Sequence, residues 1–226
     1  MRAPAPDFDR VARPYRILEY LTMGRVLERT RFSFLPETKQ ARRALVLGDG
    51  DGRFVSRLLH QNPAIHVTAV DLSAAMLRLL RTRCAEYGDR LETVQCDALS
   101  FCRTDKRRYD LIATHFFLDC LSQAEVDELT ALTSRNTEAG AQWIVSEFRI
   151  PHGAMQLPAK TLVRGLYAAF RILTGLTVTQ LPDHAAALEA SGFVRLEYRR
   201  RLSGILSAER WERRADRATR QNYSHN

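Results

Sequence analysis

Four apolar residues, Ala44, Leu45, Val46 and Leu47, run straight into Gly48-Asp49-Gly50-Asp51-Gly52, and a helical pattern starts at Arg53. A short, uninterrupted apolar run suits a strand buried on both faces, as in a parallel sheet. Glycines behind such a strand let the backbone turn tightly and come close to a ligand. The helix that follows presents unpaired N–H groups at that same point. Strand, glycine turn and helix together describe a nucleotide-type binding turn, around which the rest of the chain has to be arranged.

The dinucleotide fingerprint requires G-x-G-x-x-G/A. Counted from Gly48, the last glycine falls one residue early, at Gly52, and Arg53 stands in its place. Asp49 and Asp51 sit between the glycines. Acidic side chains crowd against a pyrophosphate but tolerate a positively charged ligand. S-adenosylmethionine, with its sulfonium and ammonium, is such a ligand. A calcium loop is the other reading of Asp-x-Asp-x. It fails because Arg53 and His60 stand where calcium ligands are needed.

At 226 residues the chain accommodates one α/β domain with an extension and a real core. Its 45% of hydrophobic residues excludes a disordered polymer. The net charge of +8 invites a nucleic-acid reading. Yet of 34 basic residues only Lys39, Lys106 and Lys160 are lysine, a bias that fits GC-rich coding better than a phosphate site. The arginines are also spread from Arg2 to Arg220, with Arg199-Arg200-Arg201 the only long run. Nucleic acid is therefore disfavoured as a partner. Cys84, Cys96, Cys102 and Cys120 form no C-x-x-C pair and read as reduced thiols of a cytoplasmic protein. Met1 to Asp9 lacks an apolar signal core, and no stretch is long enough to cross a bilayer, so no membrane association is expected.

Residues 1–40 read as an N-terminal helical cap. Val11, Tyr15, Leu18, Leu21, Val26 and Leu27 share one face between Asp9 and Leu35, Gly24 allows a break, and Pro36 ends the pattern. Ile65 to Val70 alternates and β-branches like a strand, ending in Asp71. Ser73 caps a helix from Ala74 to about Tyr87, with Met76, Leu77, Leu80 and Cys84 on one side. Asp71 lies 19 positions after Gly52, near the spacing at which a carboxylate accepts from both ribose hydroxyls. A third strand, Leu91 to Cys96, ends in Asp97, and a fourth, Tyr109 to Thr114, runs into His115-Phe116-Phe117-Leu118-Asp119. A helix over Ser122 to Thr133 and a fifth strand, Gln142 to Phe148, follow. Strands alternating with helices at this rhythm predict an α/β fold, a doubly wound, mostly parallel sheet with helices on both faces.

The segments Leu-Val-Leu-Gly-Asp-Gly-Asp-Gly (45–52), Val-Asp-Leu-Ser (70–73), Cys-Asp-Ala (96–98) and Tyr-Asp-Leu-Ile-Ala-Thr-His-Phe (109–116) resemble class I S-adenosylmethionine-dependent methyltransferases of the small-molecule type. The resemblance runs from about Arg42 to Phe148 and implies a seven-stranded sheet with S-adenosyl-L-methionine as cofactor. It implies that Gly48, Asp49, Gly50, Asp51 and Gly52 hold the methionine moiety, and that Asp71, flanked by Leu72 and Met76, takes the ribose. Asp97 and Ala98 would meet adenine, and Thr114 and His115 would face the methyl group. Leu188 to Phe193 would be the helix–strand junction before a terminal antiparallel hairpin, Phe193 to Leu202 and Ile205 onward, turning at Ser203-Gly204. The family usually carries an acid two residues before the first glycine; here that residue is Val46, with Asp49 or Asp51 as stand-ins. No Asp/Asn-Pro-Pro-Tyr or Pro-Cys follows the fourth strand, which disfavours amino-methylating and cytosine C5 nucleic-acid enzymes. His115 occupies the place of the aspartate of metal-dependent catechol-type enzymes, so no metal is expected.

Residues 41–226 would thus form the cofactor-binding domain, with 149–181 as a helical, lid-like insertion after the fifth strand. A helix from about Leu157 to Leu173 carries Leu162, Leu166, Tyr167, Phe170 and Leu173 on one side. Together with the cap it predicts a substrate pocket. Tyr15, Tyr20, Phe117, Arg149 and Tyr167 are its candidate contacts, with an apolar or ring-bearing acceptor. Ser207 to Arg220 reads as a charged helix, most simply a solvated face. His115 and Asp119 are the candidate catalytic pair. If that stretch turns helically, both side chains lie on one face, and the carboxylate supports the imidazole as general base. The plainer roles are cofactor contact for His115 and helix capping for Asp119. The reading is a methyltransferase acting on a small molecule, with an RNA methyltransferase or a catalytically silent cofactor-binding protein as alternatives. Oligomeric state is not legible.

Overall fold

The computed structural model describes residues 25–174, 178 and 180–215. Strands β1 (Arg43–Leu47), β2 (His66–Asp71), β3 (Leu91–Gln95), β4 (Tyr109–His115), β5 (Thr137–Phe148), β6 (Phe193–Arg201) and β7 (Leu206–Arg213) form one sheet. Its order is β3-β2-β1-β4-β5-β7-β6. The first five strands pair in parallel, and β7 inserts antiparallel between β5 and β6. The helices are α1 (Arg25–Arg31), α2 (Arg53–Gln61), α3 (Ala74–Arg83), α4 (Ala98–Thr104), α5 (Gln123–Arg135), α6 (Gln156–Thr174) and α7 (His184–Ala190).

Alternation along the strands splits the core into two layers. Ala44, Val46, Ala113 and Ile144 face one side, where Phe54, Leu58 and Leu59 of α2 and Leu80 of α3 cover them. Leu45, Leu47, Ile112, Trp143 and Val145 face the other, beneath Leu99, Val126, Leu129 and Leu188 of α4, α5 and α7. Because β1 is covered on both faces, it reads as a continuous apolar run from Ala44 to Leu47. Ser73 caps its helix as the sequence predicts, and Ser122 caps the helix after β4. Ser73 Oγ accepts from Met76 N at 3.1 Å, and Ser122 with Glu125 forms a capping box.

Two elements depart from the sequence reading. Helix α4 is seven residues long, too short for its periodicity to stand out. Ser207 to Arg213 is strand rather than charged helix, because β7 pairs on both edges. Its charges are absorbed in the sheet. Glu209 accepts from Trp211 Nε1 at 3.1 Å and meets His184 at 3.2 Å, while Arg210 binds Glu197 at 2.6 Å. The remainder of the predicted helix, 216–220, lies outside the described residues. No helix among the described residues is long and apolar enough to cross a membrane.

Candidate cofactor and acceptor site

The sheet order reverses between β1 and β4, and their connections diverge there to leave a crevice at the carboxyl ends of the strands. The glycine turn fills one wall. Gly48, Gly50 and Gly52 all have positive φ, +67°, +62° and +80°. A side chain on Gly48 would meet the Phe117 ring at 2.3 Å, and one on Gly52 would meet Leu80 Cγ at 2.6 Å and Leu80 Cα at 2.9 Å. At Gly50 the nearest atom is Met76 Sδ at 3.8 Å, so the middle of the turn keeps room for a ligand. Asp49 is buried and closes the helix behind the turn, accepting from Phe54 N at 3.3 Å and Val55 N at 2.9 Å. Burial pushes its pKa up to about 6 against the opposing pull of Arg31 and the two amides. Asp51 is held by Arg53 Nε at 3.1 Å and Arg83 Nη2 at 2.8 Å. Both acids therefore serve the protein itself, and neither carboxylate takes over the position held by Val46.

Asp71 ends β2 and Asp97 follows β3, so the turn, Asp71 and Asp97 lie across three neighbouring strands. Strand spacing makes that row roughly 10 Å long, the reach of a nucleoside. Asp71 Oδ1 accepts from Ser73 N at 2.9 Å. Leu72, 37% exposed, leaves an apolar surface beside it, and Met76 is buried under the turn. Asp97 caps α4 through Ser100 N at 2.9 Å, and Ala98 is the first residue of that helix.

The carboxyl end of β4 differs from the expected arrangement. His115 is buried against the Phe54 ring, with centroids 4.3 Å apart. Its Nδ1 lies 3.0 Å from Ser146 Oγ, which in turn donates to Thr30 O at 3.2 Å. The hydroxyl thus accepts from Nδ1–H, and the imidazole lone pair resides on Nε2, a buried atom without a hydrogen-bond partner. Burial and the nearby Arg31 hold the ring well below the usual histidine range, hence neutral. Phe116 then takes φ +55°, which prevents a helical turn from His115. Phe117 folds over Gly48, and a 3-10 turn spans Leu118–Cys120. The expected His115–Asp119 dyad does not form: His115 faces α2, whereas Asp119 shares its surroundings with Glu147 and His184. Nor does Asp119 cap α5, a role that Ser122 fills. Thr114 is buried, and its hydroxyl accepts from Trp143 Nε1 at 3.0 Å.

Glu147, at the end of β5, is the residue sequence reasoning missed. One oxygen accepts from Phe117 N at 3.2 Å and Leu118 N at 2.8 Å; the other is buried without a hydrogen-bond partner. Burial, and then the Asp119 charge, push its pKa well above the carboxylate range. Burial likewise raises Asp119 to about 6. The only sequence signal was an acid inside the apolar run Trp143-Ile144-Val145-Ser146-Glu147-Phe148. Apolar side chains roof this end: Val26 and Leu27 of α1, Phe116, Phe148, Leu162 of α6 and Leu206 form one cluster. Val163 packs on Cys120, Phe148, Val178 and Leu181 in another. Arg149 stacks on the Tyr198 ring at 5.3 Å and hydrogen-bonds its hydroxyl, tying the strand end to β6. Tyr15 and Tyr20 lie outside the described residues, and Tyr167 stands in α6 beyond the last described side chain. Among the described residues no group of three or more His, Cys, Asp or Glu is placed to hold a metal ion.

A family model described as "Methyltransferase domain" matches residues 44–140. Polyamine aminopropyltransferase 2 of Bacillus anthracis is 31% identical over 112 residues, 44% of this chain and 31% of that protein. The chain thus spans about a third of the length of such curated relatives. Mitomycin 7-O-methyltransferase MmcR superimposes with a TM-score of 0.66 at 18% identity, over 92% of this chain and 60% of that one. An O-methyltransferase family protein from Burkholderia thailandensis gives 0.64 at 13% identity, over 95% and 66%. N-methyltransferase NodS from Bradyrhizobium japonicum WM9 gives 0.57 at 13% identity, over 90% and 98%. At these identities the likeness is one of fold. The domain match thus covers the glycine turn and the first four strands, and the seven-stranded order around them is the fold of the class I S-adenosylmethionine-dependent methyltransferases.

Proposed function

We propose that the protein transfers the methyl group of S-adenosylmethionine to a small-molecule acceptor. The observation that carries this reading is Asp49. Its carboxylate already occupies the Phe54 and Val55 amides of α2, which a dinucleotide pyrophosphate would need. A cationic ligand gains from that acid where a phosphate is repelled. The Gly50 opening, Asp71 and Asp97 suit methionine, ribose and adenine in that order. The bound cofactor supplies an activated methyl group for in-line displacement. The protein's part is to fix the acceptor behind the methyl carbon and exclude water, and positioning of this kind lowers barriers substantially.

The lid reading covers residues 1–40 and 149–181, and the Val26–Leu27, Leu162–Val163 and Phe116–Phe148 packing supports an acceptor with an apolar or aromatic body. Arginines paired within the fold, such as Arg103 with Glu128 and Arg199 with Glu37, support the view that the positive charge is not a nucleic-acid footprint. Four free cysteines fit the proposed cytoplasmic location. Calorimetry with S-adenosylhomocysteine and with NAD tests the cofactor, and NAD binding the more tightly overturns it. Methyl transfer to a library of small acceptors tests the reaction; tight cofactor binding without turnover would mark a silent binding protein instead.

A further inference from the structure

We propose that Asp119 and Glu147 form the acceptor subsite and that the acceptor is an amine, whose nitrogen donates to Glu147 Oε2. The inference rests on the methyl-transfer reading above and names its substrate class. Glu147 is held rigidly, because Phe117 N and Leu118 N both donate to Oε1. The same loop lays the Phe117 ring over Gly48, so one loop links the carboxyl to the cofactor turn. Its Oε2 is buried and has no hydrogen-bond partner among the described residues. Native structures rarely leave such an acceptor unmade, since its desolvation is then uncompensated. A ligand donor is the missing partner.

Charge decides which donor. The strongest charge acting on Glu147 is another carboxylate, Asp119. Burial raises both carboxyls above the usual range, Glu147 further under the Asp119 charge, which favours a proton held between them. Among the other groups facing the pair, His184 pulls Asp119 back toward its ionised form, against the larger effect of burial. Cys120 is held as a neutral thiol, and His184 is engaged by Glu209, which also binds Arg195. Val163, Phe148 and Leu181 make the surroundings apolar, which strengthens any charge interaction there. A hydroxyl acceptor would leave the remaining negative charge uncompensated, whereas an alkylammonium cancels it.

The proton balance follows. The bound ammonium passes one N–H proton to the carboxylate pair, which frees the nitrogen lone pair. That lone pair forms the N–CH3 bond while the electrons of the C–S bond go to sulfur. The product is a methylated ammonium, and the proton leaves the pair for solvent.

Infrared difference spectroscopy on the protein saturated with S-adenosylhomocysteine tests this without turnover. A protonated-carboxyl band is expected at neutral pH, lost in Glu147→Gln, which can keep the Phe117 and Leu118 contacts. Benzylammonium, and methylammonium as a smaller probe, should shift the band saturably without net proton release, read by calorimetry in two buffers. Glu147→Gln should weaken amine binding by about 10- to 100-fold while S-adenosylhomocysteine affinity holds. Asp119→Asn, expected to weaken it likewise, serves if Glu147→Gln does not fold. A band that no amine moves, benzyl alcohol binding as tightly as benzylammonium, or variants that bind amines like wild type each overturn the proposal. Failure to bind S-adenosylhomocysteine would strike the methyl-transfer reading instead.

Discussion

Alanine at each end of the glycine turn should fail for a different reason from alanine in its middle. Gly52→Ala forces a left-handed alanine at φ +80°, which costs about 1–2 kcal/mol. Its new methyl would also lie 2.6 Å from Leu80 Cγ and 2.9 Å from Leu80 Cα. The second clash is with backbone and cannot be relieved by a rotamer, so overpacking adds about 1–3 kcal/mol. The stiffer unfolded chain returns about 0.4–1 kcal/mol. The net loss is about 2–4 kcal/mol, a large fraction of a typical domain's stability. Gly50→Ala carries the same backbone strain at φ +62° but meets only Met76 Sδ at 3.8 Å, so its net loss is about 1 kcal/mol. Its methyl instead fills the space reserved for the cofactor and should weaken S-adenosylhomocysteine binding by at least about tenfold, or 1.4 kcal/mol. Urea unfolding and calorimetry on both variants separate the two effects. Equal destabilisation, or a Gly50→Ala protein that binds S-adenosylhomocysteine normally, refutes the division of labour.

Asp71→Ala should lower S-adenosylhomocysteine affinity by about 1–3 kcal/mol through lost hydroxyl acceptors; unchanged affinity removes Asp71 from the site. The His115 imidazole should stay neutral, its NMR resonances not titrating near the usual value of 6.5, because burial and Arg31 disfavour the charged ring; a transition there contradicts the assigned tautomer. Asp49 makes stability pH-dependent in a defined direction. Its pKa rises from 3.8 unfolded to about 6 folded, so the folded state binds the extra proton and stability falls as pH climbs between those values, by about 3 kcal/mol for this group. Comparing urea midpoints of wild type and Asp49→Asn across that window isolates the slope, and parallel curves would show that Asp49 is not strained by burial.

The sheet was legible because its determinants are local. Leu45 to Leu47 could be read as a two-sided buried strand from their own sequence, and Ser73 announced its helix through capping chemistry. The turn between β1 and α2 was equally plain, since three glycines can adopt backbone that other residues rarely do. Where two local signals conflicted, pairing decided. The charges of Ser207 to Arg213 favoured a solvated helix, but hydrogen bonding to β5 on one edge and β6 on the other makes the segment a strand. No pattern within those residues reveals the edges that receive them.

The acceptor end was not legible for a related reason, and strand parity shows how close it came. Along β4, Leu111, Ala113 and His115 must share a face, and Ile112 and Thr114 the opposite one. That alone places His115 with Ala113, on the side later covered by Phe54. What parity could not supply was the left-handed step at Phe116, because a phenylalanine there has no local preference for φ +55°. The step is compensated from outside the segment, by Glu147 accepting from the amides of Phe117 and Leu118. An acid on the neighbouring strand thus sets the loop, the loop sets Asp119, and the His115–Asp119 spacing that looked helical has no geometric meaning. The same carboxylate that builds the loop keeps one buried oxygen for a ligand, so loop geometry and acceptor chemistry depend on a single residue, Glu147.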